Sequence, residues 1–331
     1  MLKKNVDKKG IIVSLFVSIF MVYFFEIYIN HIDNKYSINS NHRYELAKKY
    51  GIKFDKRSKI DFINDLKQNT ELEIYPDINP KGILNKYGSI KVNGKKIIPL
   101  SSISNSLSVL SNELGYWPIY YNDIRGFPNL NNLNNDYEIL LIGDSFGEGY
   151  SVKQEDNISS QLVKSGVNTY NLSNAGNGPL IQYATIKEYG EVIQPKYIIW
   201  TYYMNDISDL NDELKHPVLK KYLDDSNFTQ NIIKNKDMID DSLRKILDKE
   251  FENHKASKYF KPKTKTSLKS ILKLYSIRKR LGLVNKKPNI DKIIETFDQI
   301  LMKTKKLSIN LNSKLIFVIL PSRGQLKKTK I

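Results

Sequence analysis

Apolar positions along the chain fall into three regimes. The uncharged run Ile11 to Phe25 resumes after Glu26 as Ile27, Tyr28 and Ile29. Residues 31 to about 80 are polar and helix-leaning, with turn signals at Pro76 and Pro80. From Tyr137 onward, short apolar runs alternate with amphipathic stretches. The runs at Tyr137 to Ile142, Val167 to Leu172, Tyr197 to Tyr203 and Leu315 to Leu320 predict four strands. Ile158 to Ser165, the stretch opened by Pro179, and Ile293 to Leu301 predict helices. In the second of these, Leu180, Ile181, Tyr183, Ala184, Tyr189 and Val192 share one face, and Pro179 suits a first turn. Strands alternating with helices imply an α/β fold whose parallel sheet is covered on both faces. A helical, basic insertion from 208 to about 288 interrupts the alternation. Before it, Ser89 to Val92 and Lys95 to Ile98 flank Asn93-Gly94, the strongest short hairpin signal. Gly126-Phe127-Pro128 and the Asn-rich stretch 129–135 read as a loop.

The first run reads as a membrane anchor. About 20 apolar residues are needed for a crossing, and the segment 11–29 reaches this if Glu26 lies at the far interface beside Tyr23 and Tyr28. Lys3, Lys4, Lys8 and Lys9 precede it, which places the tail 1–10 in the cytoplasm and the rest outside a bacterial inner membrane. No small-x-small cleavage pattern follows, which argues against a removed signal peptide. The resulting organisation is tail, anchor, a stalk with a small β lead-in over 30–130, and the α/β domain over 137–331.

The 331 residues, 40% of them hydrophobic, suffice for a buried core, and the absence of cysteine excludes disulfides, thiolate metal sites and cysteine nucleophiles. The net charge of +17 is concentrated. From Lys255 to Lys287 no acidic residue occurs among twelve basic ones. Beyond a plain solvated face, such a stretch suits an acidic glycan or an anionic lipid surface; an exported protein does not meet nucleic acid.

Candidate chemistry gathers where the strands end, since ligands of such sheets bind beyond the carboxyl ends. Gly143-Asp144-Ser145-Phe146-Gly147-Glu148-Gly149 follows the first strand, Asn174-Ala175-Gly176-Asn177-Gly178 the second, and Asn205-Asp206 the third. Singly, each is ordinary turn chemistry. Together they offer a serine hydroxyl at a strand-to-helix turn, with the Ser145 and Gly176 N–H groups and the Asn205 amide as oxyanion donors. A phosphate loop is disfavoured, because no Gly-Lys-Ser/Thr follows.

In order and position, Gly143-Asp144-Ser145-Phe146, Gly176 and Asn205-Asp206 resemble the first three sequence blocks of the SGNH (GDSL) hydrolases, over roughly residues 137–321. The resemblance implies a three-layer α/β/α, flavodoxin-like parallel sheet. It also implies Ser145 as nucleophile, Gly176 and Asn205 in the oxyanion hole, a structural Asp144, and no metal or organic cofactor. Gly126-Phe127-Pro128-Asn129 and Asn177-Gly178-Pro179-Leu180 look like bacterial relatives associated with surface polysaccharides. Two departures stand out. Met204 occupies a place where many relatives have glycine, and the Asp-x-x-His block that carries the family's base is absent. None of His31, His42, His216 and His254 matches it; His216 is the weak substitute. The domain is accordingly read as truncated, with loss of the base as the competing explanation. The expected activity is ester hydrolysis or acyl transfer on an acylated extracytoplasmic glycan. Alternatives are an impaired SGNH fold that binds an acidic surface polysaccharide through Lys255 to Lys287 and, lower, a lipid esterase.

Overall fold

The computed structural model describes residues 8–35, 40–130, 136–258, 268–284 and 289–322. The chain forms two compact units, Leu46–Phe251 with Asn289–Ile331, and Met1–Glu45 with Glu252–Pro288.

The first unit is mixed α/β. Strand β1 (Ile74–Pro76) opens it, and β2 (Ile90–Val92) and β3 (Lys95–Ile97) form the expected antiparallel hairpin. Its turn residues Asn93 and Gly94 have φ of 50° and 74°, the left-handed pair that a two-residue hairpin turn requires. A three-stranded sheet was not legible: β4 (Ser106–Val109) lies between β1, in parallel, and β5 (Ile119–Asn122), antiparallel. Its inward positions include Ser106, Ser108 and Asn122, all buried. Asn122 Nδ2 donates to Ser108 Oγ at 2.7 Å and to Ser106 Oγ at 3.3 Å, and Ser106 Oγ donates to the Ile103 carbonyl at 2.8 Å.

The main sheet contains β6 (Ile139–Ile142), β7 (Thr169–Asn171), β8 (Tyr197–Tyr202) and β9 (Lys314–Ile319), in the order β7-β6-β8-β9 and parallel throughout. These are the four strands expected from the apolar runs. All four β6 residues are buried, as a central strand's must be. The Pro179–Ile193 helix, with Pro179 in its first turn, packs on β6 and against the Asp206–Glu213 and Ile290–Asn310 helices. Strand β9 is less covered, with Ile316 and Ile319 exposed.

Between the lead-in and the main sheet, buried Asp123 acts as a hub. One oxygen accepts the Arg125 and Phe127 N–H groups; the other accepts the Asn129 amide and the Tyr170 hydroxyl. Asn129 in turn accepts the Asn171 N–H at 2.8 Å. The loop around Gly126-Phe127-Pro128-Asn129 is thereby fastened to β7. The Lys236–Lys258 helix is fastened to the lead-in by buried Lys236, whose ammonium donates to the Ser102 carbonyl at 2.7 Å and pairs with Asp240. The inserted region is divided at Phe251, within the Lys236–Lys258 helix: the Asp206–Glu213 and Pro217–Asp224 helices belong to the sheet unit, and Leu268–Leu272 and Tyr275–Arg280 to the other.

In the second unit the Lys8–Lys35 helix contains one stretch, Lys9–Ile32, long and apolar enough to cross a membrane. Its large side chains, Phe16, Phe20 and Phe25 among them, are exposed. Tyr23 and Ile29 are half-buried, and Glu26 goes further. It is fully buried, and its two oxygens accept the N–H groups of Ser276 at 2.7 Å and Ile277 at 2.8 Å. This unit holds 18 of the 52 Lys and Arg but only 5 of the 35 Asp and Glu, so most of the excess charge is here.

Candidate active site

Strand β6 delivers Gly143, Asp144 and Ser145 to the carboxyl edge of the sheet. Gly143 is required by close approach, since a Cβ there would lie 2.0 Å from Thr201 Oγ1 on β8. Buried Asp144 caps the single helical turn Ser145–Glu148 by accepting the Phe146 N–H at 2.9 Å. Gly149 ends the turn in the left-handed region, with φ of 83°. Ser145 is half-buried and, among the described residues, its hydroxyl has no hydrogen-bond partner. It lines a cavity of about 510 Å³ with Phe146, Tyr150, Val152, Asn157 and Ile158. The Phe146 ring packs against that of Tyr203, which follows β8, at 4.4 Å and a 39° tilt.

The loop after β7 is stapled to this turn. Asn174 N–H donates to the Gly143 carbonyl at 3.3 Å, and Ala175 N–H donates to buried Glu148 at 2.8 Å. Gly147 is again obligatory, as a Cβ would approach Ser173 Oγ to 2.4 Å. Gly176 lies in the left-handed region (φ 76°), and a Cβ there would touch the Lys81 side chain at 3.3 Å. At the end of β8, the Asn205 amide donates to Asp209 Oδ2 at 2.8 Å, while the other Asp209 oxygen pairs with the Lys81 ammonium. Ser145, Gly176 and Asn205 therefore follow three neighbouring parallel strands, and Lys81 with Asp209 bridges the last two. Neither bridging residue was singled out from sequence. Asp209 carried a signal, four residues beyond Asn205 on one helix face; Lys81 carried none, because only tertiary packing brings it there.

Beneath these loops acidic groups crowd. Burial, reinforced by the Asp144 charge, pushes Asp206 up to about 8, although it accepts the Tyr203 N–H. Asp144 is itself raised by burial, against the opposing Phe146 N–H and Asn205 amide. Burial raises Glu148 well above the carboxylate range, with Asp77 adding to it. Glu213 receives the N–H groups of Gly178 at 2.6 Å, Leu180 at 2.9 Å and Ile181 at 3.4 Å, yet its complete burial pushes it up to about 8. The Glu213 carboxyl holds the start of the Pro179–Ile193 helix in place.

No histidine meets the serine among the described residues. His216 caps the Pro217–Asp224 helix; burial lowers its basicity, Asp212 raises it and Lys215 lowers it, and it does not line the cavity at Ser145. His31 is exposed on the apolar helix, and the side chains of His42 and His254 lie outside the described residues. Met204 is exposed beside Asn205. Among the described residues no group of three His, Cys, Asp or Glu is placed to hold a metal ion. Compared with protein-family models, curated proteins and solved structures, the chain gives no significant match.

Proposed function

We propose that the chain is a membrane-anchored serine ester hydrolase or acyl transferase of the SGNH type, acting on O-acyl groups of an extracytoplasmic glycan. One observation carries this reading: Ser145 heads a helical turn directly after the central strand, its hydroxyl unengaged at a cavity, with Gly176 and Asn205 following the adjacent strands. The order β7-β6-β8-β9 and the helices between the strands support a three-layer, flavodoxin-like arrangement of that family. The Lys8–Lys35 helix is the anchor, with its basic end in the cytoplasm.

In this mechanism Ser145 Oγ attacks the acyl carbonyl and its proton passes to a base. The Ser145 and Gly176 N–H groups and the Asn205 amide hold the oxyanion, and collapse expels the glycan oxygen, which takes the proton. Water or a second hydroxyl then accepts the acyl group from the serine. Asp209 is a positioning residue that holds the Asn205 amide, and Lys81, lying beside Gly176, pairs with it. The resemblance implies a histidine in the role of base, and none of His31, His42, His216 and His254 matches it. The test is acetate release from an activated acetyl ester by the detergent-purified protein: Ser145→Ala is expected to fall to the uncatalysed rate, and unchanged release would refute the proposal.

The unengaged Ser145 hydroxyl also favours a second reading, a catalytically silent SGNH-type fold that holds an acidic polysaccharide. That reading expects salt-sensitive polysaccharide binding that survives Ser145→Ala, with no ester turnover by either protein.

A further inference from the structure

Glu26 is the anomaly of the apolar helix. At 1.5 Å per residue it lies roughly 22 Å along the axis from Ile11, within the last turn or two of a hydrocarbon layer about 30 Å thick. A carboxylate at that depth is costly unless its oxygens are occupied. Here they are, by the backbone N–H groups of Ser276 and Ile277 from a segment 250 residues away in sequence. The short helices Leu268–Leu272 and Tyr275–Arg280 pack on the apolar helix at this level, and the Tyr23 hydroxyl donates to the Leu272 carbonyl at 3.5 Å.

The side chains this docking leaves outside have a distinctive mixture. Leu272, Tyr275, Leu281 and Leu283 are 66, 46, 67 and 62% exposed. Interspersed with them are Lys273, Arg278 and Lys279, exposed and without an ion-pair partner among the described residues. Exposed leucines are unfavourable in water, and clustered cations repel. A surface with anionic phosphates above an apolar layer removes both penalties at once.

We infer that residues 268–284 form an interfacial clamp on anionic lipid. Glu26 locks the segment to the membrane helix, Leu272, Leu281 and Leu283 enter the headgroup boundary, and Lys273, Arg278 and Lys279 bind lipid phosphates in the leaflet at the Glu26 end. This rests on the anchor reading of the Lys8–Lys35 helix and is independent of the chemistry at Ser145.

Because the chain has no cysteine, single labels are available for the test. Full-length protein carrying Leu283→Cys or, separately, Val17→Cys is labelled with an environment-sensitive fluorophore and reconstituted into phosphatidylcholine vesicles with or without phosphatidylglycerol. The Val17→Cys label is expected to report hydrocarbon in both. The Leu283→Cys label is expected to shift to the blue with phosphatidylglycerol, the shifted fraction falling about fivefold for each of Lys273, Arg278 and Lys279 changed to Gln. Glu26→Ala is expected to abolish the shift and open Lys273 to trypsin. A Leu283→Cys label that stays water-like while Val17→Cys reports lipid overturns the clamp and leaves the anchor standing. A water-like Val17→Cys label removes both. A shift evoked by soluble acidic polysaccharide over neutral vesicles, and not by phosphatidylglycerol, assigns the surface to glycan and also overturns the proposal.

Discussion

The two units use buried carboxyls in opposite settings. Around the Ser145 edge, Asp144, Glu148, Asp206 and Glu213 crowd together and burial raises each of them. In the unit of the apolar helix, Glu26 is the one buried carboxyl among the described residues, amid an excess of cations. Glu213 and Glu26 perform the same local act, receiving backbone N–H groups from a distant helix start. The difference lies in what depends on them. Glu213 supports a helix packed on the central strand, whereas Glu26 supports two short helices whose outer faces are open. The first is a contribution to folding, and the second sets where a segment sits.

The largest effect that tests this contrast is Glu213→Ala. It strands the N–H groups of Gly178, Leu180 and Ile181 in a buried place and is expected to cost about 3 kcal/mol or more. Urea unfolding of the sheet unit, followed by the fluorescence of its tryptophans Trp117 and Trp200, measures the loss, and the same measurement on Glu26→Ala is expected to show almost none. Equal losses would erase the distinction. Next comes Gly143→Ala, whose methyl group would collide with Thr201; an overpacking cost of about 1–3 kcal/mol is expected in the same assay.

The pH dependence sharpens the picture further. Asp206 and Glu213 titrate near 8 when folded, so the folded protein retains protons that the unfolded chain releases above about pH 4. Their contribution is complete below that value and is lost as pH rises toward 8. Thermal unfolding should therefore occur several degrees lower at about pH 8 than at about pH 5, and Asp206→Asn should flatten the slope. A melting temperature that climbs over this interval would contradict the assignment. The smallest effect expected is that of Lys81→Met, which keeps the stem against Gly176 but deprives Asp209 of its partner. Ester turnover, if it follows Ser145, is expected to fall about tenfold or less, since a partly exposed ion pair is worth about 1 kcal/mol.

Much of the sheet was readable in advance because its signals are local. The apolar run at Tyr137 to Ile142, the Asn93-Gly94 turn and Pro179 each act within a few residues, and each produced its element. The β1-β4-β5 sheet was hidden because its interior is partly polar: Ser106, Ser108 and Asn122 face inward and bond to one another, inverting the alternation by which a half-buried strand is recognised. At the candidate site, Ser145, Gly176 and Asn205 were identifiable as residues that follow strands. Lys81 was not, lying 128 residues from Asp209. The partner of Glu26 was equally invisible, and the sequence suggested only that this residue lies at the far interface beside Tyr23 and Tyr28.

The order of the main sheet also has a consequence for motion. Strand β6 is flanked on both sides, by β7 and β8, whereas β9 pairs with β8 alone among the described strands and exposes Ile316 and Ile319. Amide protons in β6 should thus be among the last to exchange with solvent, and those of β9 among the first in the sheet. Ser145 hangs from the slow end of that gradient. Its backbone is tethered to a strand expected to open seldom within the sheet, so transient fraying at the sheet's margin would leave the serine and its neighbouring N–H groups in register.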